Sequence, residues 1–123
     1  MIGWEVKTMN LLESVSEISK QYADKVEKIS TFVLKDRDIH GGLNFEEEIR
    51  EIWINNGSWK IREYTEQTIQ PDFGPTISKK EDMHERELSN ESLISLMTDG
   101  TLTTHEVYQI TEKIVKELNL SSL

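Results

Sequence analysis

The chain has 123 residues, 36% apolar and 30% charged, with no cysteine and a net charge of −9. That length fits one domain over 1–123 with room for a core, and its aromatic and β-branched residues argue against disorder. The missing cysteine excludes a disulfide framework, a thiolate metal site and a thiol nucleophile. The acidic balance disfavours direct nucleic-acid binding, which rests on Lys and Arg neutralising phosphates, and favours a basic protein partner.

The charge is unevenly spread, at −1 over residues 1–44, −3 over 45–70 and −5 over 71–123. No apolar run approaches the ~20 residues of a membrane span, so no membrane partner is expected. The start, Met1 to Lys7, lacks a basic region followed by an apolar stretch. It carries no export signal of that kind, and a cytoplasmic location is the expectation.

Asn10 and Glu13 make a capping-box-like start, followed by Leu11, Leu12, Val15, Ile18, Tyr22, Val26 and Ile29 at helical spacing. This predicts a long amphipathic helix over about 11–29, supported by an Asp24–Lys28 pair one turn apart. Thr31–Lys35 reads as a short strand and Asp36–Asn44, with His40-Gly41-Gly42, as a loop.

Asn56-Gly57 is the signature of a two-residue type I′ turn. Counting outward puts Ile54 opposite Trp59, Ile52 opposite Ile61 and Arg50 opposite Glu63. On the other side Trp53 meets Lys60, Glu51 meets Arg62 and Ile49 meets Tyr64. Opposite charges face each other until Glu47 would meet Glu66, and such agreement predicts a hairpin to about Thr65. Phe45–Ile49 also fits a helical face, but the pairing beyond it argues for strand.

Pro71 to Pro75 is a rigid loop opening a connector over about 71–89. Its charge-dense part, 76–89, reads either as a mobile segment or as a solvated helix. Asn90 is the expected cap of a helix over 91–98, ended by Asp99-Gly100. Thr103 and Glu106 form a second capping box, opening a helix over 104–118 that buries Val107, Ile110, Ile114 and Leu118. The class expected is α+β. A long N-terminal helix lies on a three-stranded, mostly antiparallel sheet with a central hairpin, and two C-terminal helices follow.

Ser95 to Glu106 resembles the twelve-residue loop of an EF-hand, with Gly100 at the sixth place and Glu106 at the twelfth. Ser95 and Met97 stand where the first and third oxygen ligands belong, so no calcium site is expected. His40, His84 and His105 have no zinc spacing, and no serine sits in a nucleophile elbow. Neither metal nor other cofactor is expected, and no enzyme.

The hairpin has two apolar faces. One holds Ile52, Ile54, Trp59 and Ile61, the other Ile49, Trp53 and Tyr64. If the C-terminal helix leaves the second face bare, Trp53 and Tyr64 become aromatic anchors among carboxylates. The function expected is a non-enzymatic acidic protein-binding module, of the inhibitor or immunity type, occluding a basic, nucleic-acid-handling protein. Candidate contacts are Glu46, Glu47, Glu48, Glu51, Trp53, Tyr64, Glu81, Asp82, Glu85 and Glu87. The rival is a structural or assembly subunit that dimerises through the leftover apolar face.

Overall fold

The computed structural model describes residues 10–39 and 44–120. Helix α1 (Leu11–Gln21) leads into an antiparallel sheet of β1 (Val26–Ile39), β2 (Asn44–Asn55), β3 (Ser58–Ile69) and β4 (Ile77–Leu88). Helices α2 (Asn90–Thr98) and α3 (Thr104–Leu118) follow. The strands pair in sequence order, each with the next. The α+β class thus stands, with one helix before the sheet and two after it.

The β2–β3 pairing follows the predicted register residue for residue, from Asn55↔Ser58 through Ile54↔Trp59 and Ile49↔Tyr64 to Glu47↔Glu66. Asn56 (φ 50°) and Gly57 (φ 85°) both have positive φ, as a type I′ turn requires. The strand runs beyond Thr65 to Ile69.

Four expectations are corrected. The helix over 11–29 ends at Gln21, and Val26 and Ile29 belong to β1. Tyr22 caps α1, the chain turns, and the hydroxyl of Ser19 donates to the carbonyl of Gly57. This joins the helix end to the hairpin turn. Lys28 therefore lies on a strand and reaches Glu51 rather than Asp24. Pairing with β2 satisfies a full ladder of backbone groups, which outweighs the helical spacing of two apolar residues.

The sheet has four strands, because 77–88 within the supposed connector is β4. Almost all of β4 is exposed, so its sequence carries no alternation of burial to read. Likewise β1 reaches Ile39, where a loop was expected. The helix over 90–98 is capped by Ser89, whose hydroxyl accepts from the amide of Ser92, and not by Asn90. Helix α3 has the predicted bounds and capping box.

The core joins Val15, Ile18 and Tyr22 of α1 to Ile52, Ile54, Trp59, Ile61 and Leu88 of the sheet. Leu93, Met97, Ile110, Ile114 and Leu118 of α2 and α3 complete it. All three helices thus lie on one side of the sheet, the covered face, which includes Arg50, Ile52 and Ile54. Bulges at Ile29 and Leu34 in β1, and at Asp82-Met83 in β4, bend both edges. Asp82 has φ 53° within its bulge. Bulged, charged edges resist pairing with another strand.

Candidate functional site

Alternation along the unbroken β2–β3 ladder assigns each candidate residue to a face. Glu46, Glu48 and Glu81 lie on the covered face, beyond the helices. Glu46 is held by Arg37 at 3.2 Å and by Gln67, and Glu81 by Lys79 at 2.8 Å. Glu47, Glu51, Trp53, Tyr64, Glu85 and Glu87 lie on the opposite, open face, on which no described helix packs. Asp82 sits in the β4 bulge. The ten residues therefore spread over two faces and an edge.

The middle of the open face is occupied by the chain itself. Glu51 is only 4% exposed. It accepts from the Trp53 indole at 3.0 Å and from the Tyr64 hydroxyl at 3.0 Å, with Lys28 and Arg62 each at 3.8 Å. Arg62 lies over the Trp53 ring at 5.0 Å, and Lys80 over the Tyr64 ring at 4.8 Å. Glu85 pairs with Arg62 at 2.7 Å and with Lys60 at 3.3 Å. Those two cations hold its carboxyl below the usual range. Burial, then the bond to Glu51, pushes the Tyr64 phenol up to about 12. A carboxylate with this many donors has little left to offer a partner.

The far end of the same face differs. Asp36 pairs with Glu47, and Glu47 with Glu66, so three carboxylates stand in one row across β1, β2 and β3. In the next row Asp38 stands opposite Phe45, and Phe45 opposite Thr68. Lys80 faces Glu66 across the ladder but turns its ammonium onto the Tyr64 ring. Among the described residues no ion pair engages Asp36, Asp38, Glu47 or Glu66. Phe45 is 40% exposed. Carboxylates directly opposite one another on neighbouring strands destabilise a sheet.

Sequence reasoning missed Asp36, Asp38 and Phe45 as parts of this surface. The Glu47–Glu66 clash was visible in the hairpin register. The β1 contribution was not, because β1 was read as ending at Lys35.

The EF-hand-like loop does other work. Glu106 is fully buried and ion-paired with Arg50, while Asp99 accepts from the amide of Thr101 at 2.8 Å and closes the turn. His84 and His105 are exposed on different elements, and His105 lies 6.0 Å from the Phe32 ring. His40 and Trp4 fall outside the described residues. Among those described, no three His, Asp or Glu side chains form a metal-binding group, and no helix is long and apolar enough to cross a membrane. Comparison with protein-family models, curated proteins and solved structures gives no match.

Proposed function

We propose that the chain is a non-enzymatic, acidic protein-binding module of the inhibitor or immunity type, which occludes a basic, nucleic-acid-handling protein. The observation that carries this reading is the Asp36–Glu47–Glu66 row, three like charges side by side with no ion pair to a cation among the described residues. The isolated fold bears the repulsion, and a partner's lysines and arginines would relieve it. Of the ten residues singled out in the sequence, Glu47 fits this role best. Glu51, Trp53, Tyr64 and Glu85 serve the fold through their internal partners. A net charge of −9 adds long-range steering towards a basic surface.

Self-association through the open face is the weaker reading, because a second copy would bring one carboxylate row near another.

The test starts with capture from the native host lysate on the immobilised chain, followed by mass spectrometry. Wild type should retain a basic protein that the Glu47→Lys/Glu66→Lys variant does not. Association of that pair should slow markedly between low and physiological salt. Capture unaffected by the double substitution, or association indifferent to salt, would overturn the reading.

A further inference from the structure

The aromatic residues of the open face differ in what already lies on their rings. Trp53 carries Arg62 at 5.0 Å and Lys28 at 6.0 Å, and Tyr64 carries Lys80 at 4.8 Å. Phe45 shares their face and carries no cation among the described residues. Its ladder neighbours are Asp38 on β1 and Thr68 on β3, and Glu47 lies two residues along its own strand on the same side. Asp36 and Glu66 flank Glu47 in the adjoining row. An aromatic face bordered by unpaired carboxylates attracts a cation twice, through the ring quadrupole and through the surrounding charge.

No described helix bond reaches this region. The bonds from helix to sheet end at the row of Phe32 and Arg50, where His105 meets Phe32 and Glu106 meets Arg50. Phe45 is thus not part of the packed core and remains 40% exposed at the uncovered end of the sheet.

We infer that Phe45, bordered by Asp38, Glu47, Asp36 and Glu66, is the anchor that receives an arginine or lysine side chain of a basic protein partner. This rests on the proposed function and names its contact point. Trp53 and Tyr64 do not serve as anchors, since the chain's own cations hold their rings. Guanidinium is favoured over ammonium, because its plane can stack on the ring while its N–H groups reach the carboxylates.

The test titrates octa-arginine and octa-lysine peptides into the full chain, following backbone amide shifts at fixed low salt. Octa-arginine should bind more tightly than octa-lysine and should shift the amides of Asp38, Phe45 and Thr68. Phe45→Leu should weaken octa-arginine about threefold, the scale of one exposed cation–π contact. Phe45→Tyr keeps the ring and should bind as wild type does. Tyr108→Leu, at an aromatic residue 62% exposed on α3, should change nothing. Equal affinity of wild type and Phe45→Leu, or an equal loss in Tyr108→Leu, would overturn the anchor. If Glu47→Gln/Glu66→Gln weakens the peptides while Phe45→Leu does not, the anchor falls and the basic-partner reading stands. If the Gln pair binds them as wild type does, that reading falls as well.

Discussion

Arg50 on the central strand and Glu106 in the first turn of α3 form a buried, two-pronged ion pair, with the Arg50 Nε 2.7 Å from a Glu106 oxygen. Arg50 also donates to the carbonyl of Thr101 at 3.1 Å, so one guanidinium grips both the α2–α3 turn and the helix start. Glu106 is at the same time the third residue of the capping box, accepting from the amide of Thr103 at 3.0 Å. A single carboxylate thus satisfies the helix terminus and fixes where that helix meets the sheet. Burial by itself would raise this carboxyl. The Arg50 bonds and the Thr103 donors outweigh it and hold it below the usual range.

Breaking one side of this pair strands the other charge. Arg50→Met should therefore destabilise the fold by about 3 kcal/mol in urea denaturation. Adding Glu106→Gln to Arg50→Met should recover much of that loss, since glutamine still serves a capping box and leaves no buried charge. A double variant no more stable than Arg50→Met would show that the guanidinium contributes packing rather than charge pairing.

The same pair predicts an acid limb in the stability profile. With a folded value below the ordinary 4.5, Glu106 contributes stability that is present above 4.5 and lost as pH falls through the lower folded value. Over that interval the unfolded chain binds the extra proton. Glu106→Gln should flatten this part of the curve of urea midpoint against pH. An unchanged slope below 4.5 would assign the acid limb to the surface carboxylates instead.

Tyr64 predicts the opposite limb. Its phenol is raised from 10.0 to about 12, so the stability it contributes is fully present below 10 and is lost as pH rises towards 12. Tyr64→Phe should lower stability at neutral pH by about 1 kcal/mol, through the lost bond to Glu51. It should also shorten the alkaline fall in the urea midpoint between pH 10 and 12. The tyrosinate absorbance that wild type shows and Tyr64→Phe lacks should develop towards pH 12 rather than at 10.

How much of this was legible in the sequence follows from where each constraint lies. The β2–β3 hairpin was readable because Asn56-Gly57 fixes the register and every pair outward is local. Helix α3 was readable because its cap, Thr103, and its stripe from Ile110 to Leu118 lie on one element. Strand β1 was not, since Val26 and Ile29 fit the period of the preceding helix and only pairing with β2 makes them strand. Strand β4 was hidden for a related reason. An edge strand exposed along its length needs no apolar alternation, so Lys79 to Glu87 looked like a connector. The site depends on the same two strands: β4 puts Lys80 over the Tyr64 ring and β1 puts Asp38 opposite Phe45, contacts that no local pattern reveals.

The turn itself gives a sharp backbone prediction. A Cβ at Gly57 would meet Ala23 and Ser19 backbone atoms no closer than 3.6 Å, which is ordinary contact, so space is not the constraint. Its φ of 85° is. Gly57→Ala should cost about 1–2 kcal/mol, whereas Asn56→Gly should be close to neutral. Circular dichroism melts of the two variants would separate conformational strain from lost contacts. Equal effects at both positions would argue that the turn is not what sets the register.

The carboxylate row predicts a trade between stability and binding. Glu47 faces Asp36 on one side and Glu66 on the other, so Glu47→Lys turns two repulsive cross-strand pairs into two attractive ones. Each such pair is worth a few tenths to about 1 kcal/mol, and the variant should be more stable than wild type by about 1 kcal/mol at low salt. The gain should shrink as salt screens the exposed charges, while Glu47→Gln should gain about half as much. If the row is kept for a basic partner, the stabilised Glu47→Lys chain should bind that partner less well, as expected where a functional site retains unfavourable interactions. Urea midpoints at low and high salt give the first quantity, and association rates with the captured partner give the second. A stabilised variant with undiminished association would leave the row a feature of the fold alone.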